Sequence, residues 1–103
     1  MAGPSRYVIA YDLSDDRERL RVAKVLEGFG ERVQGSVFEC LLDKTAKRRL
    51  TEKLRDLELA SGFVSLYRLA EHARPVDIGS VPEDVLRGDL RAGPDDAAYA
   101  FVI

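Results

Sequence analysis

The stretch from Tyr7 to Leu42 constrains this chain more than any other, because its hydrophobic period changes twice within a few turns of chain. Tyr7 to Tyr11 is a continuous apolar run rich in aromatic and β-branched residues, closed by Asp12, Ser14 and Asp15, which predicts a buried strand. A helix follows: Ser14 suits the N-cap, Asp15 and Asp16 suit the positive end of the helix dipole, and Val22, Val25, Leu26 and Phe29 recur at i, i+3, i+4 and i+7. Gly28 and Gly30 end it. Val33 to Leu42 is extended, with Gly35 marking a turn or bulge between a short strand near Arg32 to Gln34 and a longer one at Val37 to Leu42.

Ala46, Leu50, Leu54 and Leu57 form the stripe of a second amphipathic helix, with Lys47, Arg48, Arg49 and Lys53 on its solvent side. Gly62 resets the chain, Phe63 to Leu69 reads as a strand, and Val76 to Ile78 reads as a short edge strand behind Pro75. The order β-α-β-β-α-β is that of an α+β, ferredoxin-like domain, with an antiparallel sheet and both helices on one face. Both faces of the strands are apolar, however: Phe38, Cys40 and Leu42 alternate with Val37 and Leu41, and Phe63 and Tyr67 with Val64 and Leu66. Helices cover only one face, so the other needs a cover, and a symmetric homodimer is the economical one. Pro82 to Asp96, acidic and Gly-containing, reads as a loop or linker. It leads to the apolar pentad Tyr99 to Ile103, which reads as an added strand on a partner's sheet. The expected division is a domain over 1–79, a loop over 80–97 and a C-terminal strand over 98–103.

A chain of 103 residues is one domain. Its single cysteine, Cys40, excludes an internal disulfide, fits a reducing compartment and reads as a small core residue. No signal peptide or membrane-length apolar segment is present, so a soluble, cytoplasmic protein with no membrane partner is expected. The net charge of -2 hides an asymmetry: residues 1–68 carry 13 Lys and Arg against 11 Asp and Glu, residues 69–103 only 3 against 7. A nucleic-acid surface would therefore be a local patch on the first two-thirds.

The chain has no zinc-like Cys and His spacing and no phosphate-binding glycine loop, and its only histidine, His72, reads as a surface loop residue. Asp12 offers a hard oxygen of the kind that Mg²⁺ or Mn²⁺ accepts, and a two-fold axis would double that one carboxylate. Arg17 and Arg21 share one helix face while Arg19 points elsewhere. With Arg32 they are candidates for phosphate contacts, against the plainer reading of a solvated face partly paired with Glu18. Phe38 reads as core packing in preference to a base-stacking platform.

Tyr11-Asp12, then Asp15-Asp16 with Arg17, Arg19 and Arg21, then Gly30, Arg32, Gln34 and Ser36-Val37-Phe38-Glu39 together resemble the CRISPR-associated protein two family of small adaptation proteins. The resemblance spans essentially the whole chain, although Gly35 stands where many relatives carry a bulkier residue and the acidic loop before Tyr99 is long. It implies a ferredoxin-like homodimer with exchanged C-terminal strands and with Asp12 of each protomer at the interface as metal ligand and catalytic carboxylate. It also implies Mg²⁺-dependent endonuclease activity on single-stranded RNA or duplex DNA. A further implied role is as an adaptor that bridges the larger adaptation integrase and holds spacer DNA through Arg17, Arg19, Arg21 and Arg32. Two alternatives stand beside the nuclease: a non-catalytic DNA-binding scaffold, and a toxin-like ribonuclease of the same fold. A regulatory domain for small molecules is disfavoured by the lack of any ligand loop.

Overall fold

The computed structural model describes residues 3–74 and 76–80. Four strands and two helices follow one another as β1 (Ser5–Leu13), α1 (Asp16–Glu27), β2 (Gly30–Gln34), β3 (Val37–Leu42), α2 (Lys44–Asp56) and β4 (Gly62–Arg68). The sheet runs in the order β2-β3-β1-β4 with every neighbouring pair antiparallel. This is the expected α+β, ferredoxin-like architecture.

Strand alternation divides the sheet into two faces. Tyr7, Ile9, Tyr11 and Leu13 of β1 and Phe38, Cys40 and Leu42 of β3 point toward Val22, Ala23 and Leu26 of α1 and Leu50 and Leu54 of α2, and together they form the main core. Val8, Ala10, Val33 and Val37 point the other way, where Leu69 and Ala73 pack on them as a second, smaller core. Part of the cover that this face was expected to need comes from the chain itself: the segment after β4 folds back over its centre. It is held by the Leu69 N–H donating to the Arg6 carbonyl at 2.8 Å and by a turn from Ala70 to Ala73. Exposed apolar side chains remain on the same face, Leu41 and Phe63 each at 61% exposure and Tyr67 at 40%.

Two local expectations change. The N-cap of α1 is Asp15, not Ser14: Asp15 is extended (φ -88°, ψ 126°) and its carboxylate accepts the Glu18 N–H at 3.2 Å. Ser14 is taken by a tertiary contact instead, its N–H donating to the Ser61 carbonyl at 3.2 Å. Val76 to Ile78 form no strand, because the chain has already turned across the sheet at residues 69–74 and Ile78 stands 93% exposed. In β2 the register slips between Arg32 and Gln34, a bulge that lets Val33 enter the second core while Arg32 stays opposite Phe38. The loop and terminal strand expected beyond residue 80 lie outside the described residues.

Candidate active site and nucleic-acid interface

Asp12 occupies the next-to-last position of β1, opposite Phe63 of β4. Its neighbours Tyr11 and Leu13 are buried in the main core, so alternation turns Asp12 to the face away from the helices, where it is exposed. No hydrogen bond or ion pair engages its carboxylate among the described residues. The backbone beneath it is tightly held. Gly62 of β4 approaches so closely that a methyl group there would overlap the Asp12 carbonyl.

The four arginines do not converge on Asp12. Arg17 and Arg21 are exposed on one face of α1, four residues apart, and neither makes a hydrogen bond among the described residues. Arg19 folds back along the helix start, donating to the Leu13 carbonyl at 2.6 Å and pairing with Asp16. Arg32 lies on the helix side of the sheet. Its guanidinium sits 4.9 Å from the centroid of the Phe38 ring, donates to the Tyr11 hydroxyl at 3.4 Å and also donates to the Gly35 carbonyl. Arg19 and Arg32 thus line one open cleft of ≈ 640 Å³ with Tyr11, Asp16, Leu20 and Ser36, and that cleft is on the opposite side of the sheet from Asp12. As expected, Arg17 and Arg21 share a helix face apart from Arg19; the structure adds that Arg19 and Arg32 are engaged with protein oxygens.

Glu18 was legible only as a solvated partner for these arginines, and the structure gives it a different place. It is the one buried charged residue among those described. Its carboxylate accepts the Ala60 N–H at 2.8 Å, the Ser61 N–H at 2.9 Å and the Ser61 hydroxyl at 2.5 Å. The Ser61 hydroxyl, followed by the two backbone donors and helped by the charge of Arg21, holds the Glu18 carboxyl below the usual 4.5 against a smaller desolvation cost. Ser61 then reaches the other way. Its hydroxyl accepts the Asp15 N–H at 3.1 Å and its carbonyl accepts from Ser14. A sequence signal existed: Asp15-x-x-Glu18 is the spacing of a capping box, in which Glu18 would reach back to the Asp15 N–H. Here Ser61 supplies that acceptor and Glu18 holds Ser61.

Other candidates take their plainer readings. Phe38 is fully buried in the core, with its ring centroid 6.4 Å from that of Tyr11. Cys40 is buried, and burial followed by the charge of Glu39 pushes its thiol up to about 12, which leaves it a poor nucleophile. His72 is exposed in the turn after β4. As for a metal, Asp12 has the right donor chemistry, but among the described residues no three of His, Cys, Asp and Glu come together as a cage. No helix among those residues is long and apolar enough to cross a membrane.

Comparison with known proteins agrees with this fold. Residues 5–74 match the family described as CRISPR associated protein Cas2. The chain is 45% identical over 78 residues to the CRISPR-associated endoribonuclease Cas2 3 of Synechocystis sp., covering 74% of this chain and 85% of that relative. Among solved structures, a hypothetical protein from Thermus thermophilus superposes with a TM-score of 0.68 at 37% identity, covering 79% of this chain and 100% of the other. A chain of a partial Cas6-RT-Cas1–Cas2 complex superposes with a TM-score of 0.54 at 25% identity, covering 70% and 90%. Matched across both helices and all four strands, and this similar to a relative covered over most of its length, the chain belongs to the CRISPR associated protein Cas2 family.

Proposed function

We propose that this protein is a metal-dependent endonuclease and DNA-binding adaptor of CRISPR adaptation, working as a homodimer in which the Asp12 carboxylates of two protomers meet. The observation that carries the reading is the exposed, unengaged Asp12 at the end of the central strand, on the face where Leu41, Phe63 and Tyr67 are also exposed. A carboxylate unpaired among the described residues, beside the exposed Phe63 and on a face that also exposes Leu41 and Tyr67, suits a two-fold partner, and two such carboxylates at close range repel unless a cation joins them. The endoribonuclease name of the Synechocystis relative supports the activity, and the Cas1–Cas2 assembly of the structural neighbour supports an integrase partner.

In this reading Asp12 of each protomer would hold Mg²⁺ or Mn²⁺, which when bound supplies an activated water and offsets charge on the phosphoryl group. The rest falls to the chain. The tightly held β1 backbone keeps Asp12 at a fixed height above the sheet, and Arg17 and Arg21 bind flanking phosphates of RNA or DNA without reading sequence. Arg19 and Arg32 brace the helix start and the β2-β3 turn, and would contact phosphate only by exchanging their present partners.

The test is cleavage of matched single-stranded RNA and duplex DNA at fixed salt by wild type and Asp12→Ala, with Mg²⁺, Mn²⁺ or EDTA. Metal-dependent cutting that Asp12→Ala lacks, by roughly a hundredfold or more, is the expected result and names the substrate. Equal cutting by both proteins, or none by either, overturns catalysis. The second reading, a non-catalytic scaffold, would then hold: with an integrase partner, Asp12→Ala would support spacer integration while charge reversal at Arg17 and Arg21 would abolish DNA retention.

A further inference from the structure

We propose that Ser61, fixed by Glu18, is the positioning residue of the Asp12 site, so that the α2-β4 loop sets where the carboxylate stands. This rests on the reading of Asp12 given above. Three observations converge on it. The first is a continuous chain of bonds across the turn that follows Asp12. Glu18 in α1 accepts two N–H groups and a hydroxyl from Ala60 and Ser61, and Ser61 in turn accepts from the N–H groups of Ser14 and Asp15. The Ser14 hydroxyl adds a longer contact to the Ser61 carbonyl at 3.4 Å.

The second observation is a further bond from α1 to this turn. Arg19 donates to the Leu13 carbonyl, so consecutive residues of α1, Glu18 through Ser61 and Arg19 directly, both reach the end of β1. The third is the close backbone approach next door, where Gly62 lies against the Asp12 carbonyl in register with Leu13. A shift of Ser61 therefore passes directly into β4 and into the last residues of β1. Among the described residues the Asp12 side chain makes no hydrogen bond or ion pair, so its location follows that of its backbone.

The purpose of such a device follows from the chemistry of a shared site. A carboxylate that must meet a second copy of itself across an axis doubles every error in its placement, and misplacement of about 1 Å can cost up to roughly a hundredfold in rate. A local capping box would fix only the helix end. Routing the same hydrogen bonds through Ser61 ties that helix end to β4, which borders the open face.

The test compares Ser61→Ala, which loses the hydroxyl and its two bonds, with Ser61→Thr, which keeps the hydroxyl, and with Asp12→Ala. Two readouts are taken on purified protein: kcat and KM for cleavage with Mg²⁺, and the carboxyl ¹³C shift of Asp12 in protein free of metal and nucleic acid. Expected for Ser61→Ala are a roughly tenfold fall in kcat with KM within about twofold, and a displaced Asp12 resonance. Expected for Ser61→Thr are values close to wild type in both. Hydrogen exchange should show faster amides only near residues 14–15 and 60–61, which separates this from general unfolding. An unmoved Asp12 resonance in Ser61→Ala, or equal damage from Ser61→Thr, overturns the proposal. A moved resonance in a protein whose cleavage is untouched by Asp12→Ala upholds the positioning and overturns the nuclease reading alone.

Discussion

Glu18 shows how one side chain can serve a helix end, a loop and the acid stability of the fold together. In a capping box its carboxylate would cross three residues to the N-cap amide, and instead it reaches 43 residues along the chain to Ser61. Because three donors favour the charged form, the folded carboxyl titrates below its unfolded value of 4.5. The sign follows: the stabilisation is fully present above about pH 4.5 and is lost as pH falls through the lowered folded value. Thermal melts from about pH 7 to about pH 3 should therefore show the midpoint of wild type dropping more steeply on acidification than that of Glu18→Gln, whose amide cannot titrate. Parallel curves would mean that the three hydrogen bonds do not distinguish charged from neutral Glu18. The residue pattern Asp15-x-x-Glu18 was visible in the sequence, but its real partner was not, since nothing local marks Ser61 as a surrogate acceptor.

At the scale of elements, the amphipathic stripes specified α1 and α2 because Val22 and Leu26, and Leu50 and Leu54, return to one helix face whatever that face meets. The α2-β4 connection is less orthodox. Leu57 caps α2, and Glu58 then adopts a left-handed conformation at φ 53°, which reverses the chain toward Ser61. Such a residue without glycine's freedom carries strain, and a β-branched side chain carries more. Glu58→Val should lower stability in denaturant titration by about 1 kcal/mol, while Glu58→Gly should not lower it. A tolerated valine would show that the loop has another path. Val76 to Ile78 failed as a strand for the converse reason: apolar residues behind a proline satisfy a strand pattern, yet a strand needs an edge to pair with, and the chain left the sheet at Leu69 to cross its face.

For the whole molecule, the sheet separates two surfaces that the sequence runs together. The open face carries Asp12 with Leu41, Phe63 and Tyr67, while the helix side carries the cleft of Arg19 and Arg32. Arg17, Arg21 and Arg32 are all exposed, and of these Arg17 and Arg21 make no hydrogen bond among the described residues. If phosphates are held there, duplex binding by Arg17→Gln with Arg21→Gln should lose roughly two units from the slope of log K against log salt, and Arg32→Gln should leave the slope unchanged. An unchanged slope in the double variant would move the interface elsewhere, with the exposed cations Lys44, Lys47, Arg48 and Arg49 of α2 the next surface to test. The sequence by itself determined the order of strands and helices, the core stripe of each, and the strand-end carboxylate, because hydrophobic period and turn chemistry act over a few neighbouring residues. Only the tertiary structure decided that Arg32 faces away from Asp12, that residues 69–74 close part of the open face, and that Glu18 grips Ser61. Each of these depends on strand register, a bulge or a contact between distant segments, and such relations are settled by packing the whole chain at once.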